Sequence, residues 1–342
     1  MKALVLETPG EEPKLSVKEI ETPQVGPLDV LVRVKACGFC YHDVAVMRGV
    51  LRRGVKPQII LGHEISGEVA DVGELVTAVS KGDKVVSLLT ESCGQCIRCR
   101  TGREYRCLYG KGVGHAVDGG FAEFVKLREN GMALLPDGID LQEACLFACP
   151  MGVALQAARD VARLQPGETA VVTGAGGGLG VHAVQVTKAL GARVLAVTTS
   201  PEKIDRIQEL GVEEVILAGE LDFSEMVMAL TEDQGADVVI DTVGFALFSS
   251  SFRSLSQYGR MVIIGEVAGG KVSINPAEVM FKDASVSGST GAGLRHLLEV
   301  AAMVQQGRLK PVVSQTFPLE EAITAYRLMR EKQTFGRVAL VP

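Results

Sequence analysis

Between residues 2 and about 90 the apolar positions come in short runs separated by Gly and Pro: KALVLE at 2–7, LSVKEIE at 15–21, DVLVRVKACG at 29–38, ISGEVADVG at 65–73 and KVVSLL at 84–89. Short runs of this kind with turn residues between them predict strands, so this part reads as a compact β-rich domain. The middle of the chain has another rhythm. TAVVT at 169–173, RVLAV at 193–197, EVIL at 214–217, DVVID at 237–241 and RMVIIG at 260–265 are strand-like runs with helix-compatible segments between them. The clearest of these segments spans residues 179–190. Strands alternating with helices predict a doubly wound parallel sheet, and ASVSGS at 284–289 extends it by a last strand. Beyond it, residues 294–307 and 319–332 read as amphipathic helices, and GRVALV at 336–341 as a closing strand.

A chain of 342 residues with 47% hydrophobic content is long for one core, which predicts two domains. Lys and Arg total 35 against 41 for Asp and Glu, a formal charge of -6, and no run of like charges offers a surface for nucleic acid or anionic membrane. A small-molecule partner is the expectation. The start, MKALVLETPGEEP, meets Pro9 and acidic residues before a signal-peptide core forms, and no segment approaches the roughly 20 apolar residues that cross a bilayer. The expected compartment is the cytoplasm. The eight cysteines, clustered in a chain without an export signal, favour metal over disulfides.

Residues 93–107 read CGQCIRCRTGREYRC, or C-x2-C-x2-C-x7-C. Four thiolates at these spacings can converge tetrahedrally on zinc, and a closed four-sulfur site braces a lobe without doing chemistry. Cys93, Cys96, Cys99 and Cys107 are therefore expected to hold a structural zinc, with an iron–sulfur cluster or four unliganded thiols as alternatives.

The stretch TAVVTGAGGGLGVHAVQVTKALGARVLAVTT joins a strand, a glycine-rich turn, a helix and a second strand. Gly174, Gly176, Gly177, Gly178, Leu179 and Gly180 let the backbone approach a pyrophosphate at the positive end of the helix. At the end of the second strand an NAD site would carry an acid for the ribose 2′-hydroxyl, but Val197 and Thr198 stand there. Thr198, Thr199, Ser200 and Lys203 could receive a 2′-phosphate instead, which favours NADP(H). Alternatively, these residues only cap the helix that begins near Pro201.

Residues 37–43 read CGFCYHD, residues 61–64 LGHE, and a further cysteine lies in FACPMG at 147–152. With the four-cysteine stretch, the glycine turn, GDKV at 82–85, DGGFAEF at 118–124, DTVG at 241–244 and GRVAL at 336–340, the chain resembles the zinc-dependent medium-chain alcohol dehydrogenases over nearly its whole length. The resemblance implies a Rossmann coenzyme domain at 150–284 and a β-rich, GroES-like catalytic domain at 1–149. The structural zinc lobe would occupy 91–110, and residues 285–342 would return to the catalytic domain. It makes Cys40, His63 and Cys149 ligands of a catalytic zinc, with Glu64 tuning the metal or ligating it transiently. Asp43 would accept a hydrogen bond from His63 and fix its tautomer. The neighbouring thiols Cys37 and Cys145 are read as structural.

His42 stands where the family usually carries the Ser or Thr of a proton relay, and a histidine can serve the same purpose. Ile264, Gly265 and Ser289 correspond to the backbone around the nicotinamide carboxamide, Val153 to a position beneath the ring, and Arg337 to one that can supply positive charge to the pyrophosphate. The expected cofactors are two zinc ions per chain and NAD(P), NADP favoured. The expected reaction is hydride transfer between an alcohol and its aldehyde or ketone. Tyr41, Val44, Met47, Leu51 and His115 are candidate lining residues of the substrate cleft. A homodimer or homotetramer follows from the resemblance. Two other readings remain: an enoyl reductase of the acryloyl-CoA or quinone type with structural zinc only, and a coenzyme-binding protein without activity.

Overall fold

The computed structural model describes residues 1–219 and 222–342. The chain divides into two compact units, Met1–Gly152 with Gly291–Gly307 and Pro311–Pro342, and Val153–Thr290 with Arg308–Lys310.

The first unit is built on a seven-stranded sheet. Its strands run in the order Val313–Pro318, Arg337–Val341, Asp29–Phe39, Glu64–Val72, Lys84–Ser87 and Met132–Leu134, and Phe124–Arg128 also pairs with Asp29–Phe39. The alternation in DVLVRVKACGF sends Val30, Val32 and Val34 into the core while Arg33 faces out. The core gathers around Phe39 and Phe121, whose rings meet edge to face at 5.3 Å. Strand pairing sets Gly38 opposite Glu64 and Cys37 opposite Ile65, so the CGFC and LGHE segments are brought side by side by backbone register alone. Gly62 makes the bend between them possible. It sits at φ +90°, and a Cβ there would lie 2.5 Å from Phe121 Cδ1 and 2.6 Å from Cys37 Sγ, so neither backbone nor space admits a side chain.

The second unit is a six-stranded, wholly parallel sheet. Its order is Glu214–Leu217, Arg193–Thr198, Thr169–Thr173, Ala236–Asp241, Leu255–Ile263 and Ser285–Gly288. The two strands that follow the glycine turn in sequence lie on one side of Thr169–Thr173, and the later three lie on the other. This reversal creates the switch point at which doubly wound folds bind ligands. Its core includes Val171, Leu195, Val197, Val239 and Met261 from the sheet and Phe248 and Phe252 from a covering helix. Ser285–Gly288 keeps the chain in this unit as far as Thr290, six residues beyond the limit set at 284 by the resemblance. Among the described residues no helix is long and apolar enough to cross a membrane.

Candidate active site

The first unit gathers Cys40, His63, Glu64 and Cys149 so that their donor atoms all lie within 4.8 Å of one another. Each arrives by a different local device. Cys40 caps the short helix Tyr41–Met47, where its N–H donates to Asp43 Oδ2 at 2.9 Å. His63 and Glu64 lead into strand Glu64–Val72 directly after the Gly62 bend. Cys149 lies in Phe147–Gly152, where Met151 N reaches back to Leu146 O, one residue further than in an α-helix.

The sulfurs of Cys40 and Cys149 are 3.9 Å apart. Two thiolates bound to a tetrahedral zinc at about 2.3 Å stand nearly that far from each other, so the pair fits a metal without rearrangement. A second observation agrees with the first. Both carboxylate oxygens of Glu64 are buried with no hydrogen-bond partner, and they belong to this cluster.

The electrostatics are those of a charged site packed into a core. Burial would raise Asp43, yet His63 and His42 beside it hold its carboxyl well below the usual range. Burial would lower His63, and the Asp43 carboxylate, 3.6 Å from Nδ1, overrides this and raises it. With Nδ1 turned to Asp43, Nε2 lies towards Glu64 Oε1 at 3.9 Å. Glu64 is pushed up to about 7 by burial, against the restraining charge of Arg337. Arg337 Nη2 stands 3.2 Å from Glu64 Oε1 and 3.9 Å from Cys149 Sγ. Cys40 is lowered chiefly through its contact with Cys149, and Cys149 is raised chiefly by the same contact.

Asp43 does more than face a histidine, because Oδ1, the oxygen beside His63, also accepts from Gly62 N at 3.2 Å while Oδ2 accepts from Cys40 N, which ties the two ligand-bearing loops together. His42 packs against both other histidines, at 5.0 Å from His63 and 5.2 Å from His115 between ring centroids, and its Nδ1 is buried without a hydrogen bond. His115 in turn meets the Arg53 carbonyl at 3.0 Å. Val44 and Met47, expected to line a cleft, instead lie fully buried in the first unit's core, since residues three apart on the Tyr41–Met47 helix share its inner face. Cys145, the alternative to Cys149, points away and donates to Gln142 O at 3.2 Å.

Cys93, Cys96, Cys99 and Cys107 form a second group. Sulfur separations of 3.9 Å for Cys93–Cys99, 3.5 Å for Cys96–Cys99 and 3.8 Å for Cys96–Cys107 fit the same tetrahedral spacing. Backbone N–H groups donate to these sulfurs, and they lower Cys93 and Cys96 towards the thiolate a metal needs. All eight cysteines are free thiols.

In the second unit, Gly174 to Gly180 form the turn between strand Thr169–Thr173 and helix Gly180–Ala189. Gly180 packs so closely that a Cβ would come 2.0 Å from the Gly174 carbonyl oxygen. Gly174, Gly177, Gly178 and Leu179 remain partly exposed, and Gly176 is covered by the Lys203 stem, which a Cβ would meet at 2.8 Å. Thr198 is buried and accepts from Ser200 N at 3.2 Å, whereas Thr199 is exposed. Ser200 precedes the Pro201–Lys203 turn but makes no side-chain cap bond, so capping does not account for its hydroxyl. Ile264 and Gly265 follow strand Leu255–Ile263 and donate backbone N–H groups to Asp241 O, and Ser289 N donates to Ile263 O.

The sequence reading missed a buried brace here. Asp241 Oδ1 accepts from Thr173 Oγ1, Val243 N and Gly244 N, fixing the DTVG turn beside the glycine loop. The motif signalled a turn; its partner on a strand 68 residues earlier gave no local sign.

The family model described as "Alcohol dehydrogenase GroES-like domain" matches residues 26–137, and that described as "Zinc-binding dehydrogenase" matches residues 178–306. An acryloyl-coenzyme A reductase of Metallosphaera sedula is 36% identical, with 99% of each chain covered. An alcohol dehydrogenase of Geobacillus stearothermophilus is 33% identical over 99% of each. A solved NAD-dependent alcohol dehydrogenase is 34% identical, covers 100% of both chains and superposes with a TM-score of 0.94. With likeness of this extent across both units, the chain belongs to the medium-chain alcohol dehydrogenase family of the dehydrogenase/reductase oxidoreductases.

Proposed function

We propose that this oxidoreductase is a zinc-dependent alcohol dehydrogenase or carbonyl reductase using NAD(P), with two zinc ions per chain. The convergence of Cys40, His63, Glu64 and Cys149 carries the reading, since it brings three strong donors and a carboxylate without a hydrogen bond to within 4.8 Å of one another. Cys40, His63 and Cys149 would hold the catalytic metal, and Cys93, Cys96, Cys99 and Cys107 the structural one. When bound, zinc supplies Lewis acidity to an alcohol or carbonyl oxygen, and the nicotinamide accepts or gives the hydride.

The chain's own groups do the rest. Asp43 keeps Nδ1 of His63 engaged and leaves Nε2 for the metal. Glu64, screened by Arg337, adjusts the charge behind the ligands. His42, one-third exposed and in contact with His115, moves the substrate's proton outwards. The first unit is the catalytic domain in this reading, and the second holds coenzyme through Gly174, Gly176, Gly177, Gly178, Leu179 and Gly180. Ile264, Gly265 and Ser289 serve the nicotinamide half, whereas Arg337, expected at the phosphates, lies in the first unit against Glu64. Thr198, Thr199, Ser200 and Lys203 favour NADP(H), because no acid ends strand Arg193–Thr198. The strand Ser285–Gly288 is an exposed sheet edge, which suits pairing with a second copy in a cytoplasmic homo-oligomer.

A second reading, reduction of an enoyl-CoA double bond, is favoured by one observation: relatives named acryloyl-coenzyme A reductase reach 34% and 36% identity over essentially the full chain. Zinc analysis of the wild type and His63→Ala, with alcohol oxidation measured in each coenzyme, tests the choice. Two zincs falling to one with loss of alcohol oxidation support the dehydrogenase. One zinc in both proteins, inert alcohol and turnover of an enoyl-CoA refute it.

A further inference from the structure

The amide side chain of Gln156 has half of its hydrogen bonding left open inside the second unit. Gln156 is 3% exposed, and its Nε2 donates to Ser289 Oγ at 3.3 Å. Its Oε1 is buried and has no hydrogen-bond partner. A buried amide oxygen left unpaired is destabilising, and such atoms recur where a ligand completes them. The backbone is unusual at the same place. Over Gln156–Val161 the helix widens, with Ala162 N donating to Ala157 O and Leu164 N to Ala158 O, and widened turns of this sort are frequent at functional sites.

Ser289 directly follows strand Ser285–Gly288, at the carboxyl end of the parallel sheet. In a doubly wound sheet a dinucleotide lies across those ends, one half on each side of the switch point. The glycine turn and Thr198 mark the half over Thr169–Thr173 and Arg193–Thr198. Ser289 and its partner Gln156 therefore belong with the other half, over Leu255–Ile263 and Ser285–Gly288, where the second base of the dinucleotide rests. A nicotinamide carries a primary carboxamide there, a group with two N–H donors and one carbonyl acceptor. The open oxygen of Gln156 is an acceptor, and the Ser289 hydroxyl can donate.

We propose that Gln156 and Ser289 form the receptor for the nicotinamide carboxamide, with Gln156 Oε1 accepting an N–H from it and the Ser289 hydroxyl held in place by Gln156 Nε2. The inference rests on the coenzyme reading given above and adds to it a side chain that recognises the ring amide. Gln156 fixes the rotation of the carboxamide, and through it the seating of the ring.

The chain contains no tryptophan, so binding of reduced coenzyme can be followed by the fluorescence of the nicotinamide itself. The wild type and Gln156→Leu are titrated with reduced coenzyme, with its analogue bearing acetyl in place of carboxamide, and, by calorimetry, with the matching ADP-ribose or its 2′-phosphate. Gln156→Leu should bind reduced coenzyme about tenfold more weakly and the ADP-ribose equally well. The wild type should prefer carboxamide to acetyl, and the variant should not. Unchanged coenzyme affinity with the preference intact overturns the proposal, as does an equal loss for both ligands, which marks Gln156 as a scaffold residue. If Gln156→Leu does not fold, Ser289→Ala carries the test and must lose part of the same preference; full preference in Ser289→Ala overturns the proposal. A wild type that binds neither nucleotide overturns the coenzyme reading and this inference with it.

Discussion

Replacing Arg337 with Met removes one side of an ion pair that is buried on both sides. Arg337 is 5% exposed and Glu64 0%, with 3.2 Å between Nη2 and Oε1. At an effective dielectric near 20 the attraction at that separation is roughly 5 kcal/mol. Desolvation offsets much of it in the intact pair, but removing one partner exposes the whole cost on the other, and such losses run to about 3–5 kcal/mol. The pH dependence has a definite sign. The folded Glu64 carboxyl lies at about 7, above its ordinary value of 4.5, so the stability tied to its proton is present below 4.5 and is lost as pH rises through 7. Without Arg337 burial is opposed only by His63 and the Cys149 contact, so the folded value climbs further and that loss extends to higher pH. The variant should therefore fall furthest behind the wild type in alkaline buffer and least near pH ~5. Urea denaturation at matched zinc content, at pH ~5 and pH ~8.5, measures this directly. Adding Glu64→Gln to Arg337→Met should restore most of the loss, since it removes the stranded charge. At pH ~8.5, a deficit under about 1 kcal/mol, or a double variant no more stable than the single one, would refute the reasoning.

Three other outcomes are expected. Gly180→Ala should cost about 1–3 kcal/mol and abolish measurable coenzyme binding, because its Cβ would sit 2.0 Å from the Gly174 carbonyl oxygen; calorimetry with ADP-ribose gives the readout. Zinc affinity at the Cys40–His63–Cys149 site should rise with pH, by about tenfold per unit for each proton displaced, since His63 and Cys149 are both raised and must release protons to bind metal; competition with a chelator at two pH values measures it. Cys96→Ser should lose one zinc per chain and speed hydrogen exchange at the start of helix Leu294–Gln305, because Glu104 in the cysteine lobe accepts from Leu294 N; unchanged exchange there would separate the lobe from the helix.

Most of the strands were legible because their signal is local. The runs at 2–7, 29–38, 169–173 and 193–197 became strands within a residue or two of where alternation or apolar continuity placed them. The cysteine stretch was legible for the same reason, as its spacing is contained in one loop. Strand Val313–Pro318 escaped notice: VSQTFP alternates weakly, ends in Pro and forms only because Arg337–Val341 lies alongside. Val44 and Met47 carried a usable signal, a three-residue spacing on a helix, that marks an inner face better than a cleft wall. The Arg337–Glu64 pair and the open amide of Gln156 had none. Each depends on a partner far along the chain, and no window of sequence holds both members.

The two clusters of metal-binding character differ in when they can come into being. The Cys93–Cys107 group closes within one short loop, so its four thiols can meet a metal soon after that stretch is synthesised. The other cluster spans Cys40 to Cys149, and Arg337, which balances its buried carboxylate, arrives only with a strand that slots beside Asp29–Phe39 after nearly the whole coenzyme unit has been made. Biogenesis is thus staged. The cysteine loop can close during translation, while Glu64 in the other cluster stays without its counter-charge until the last strand has returned.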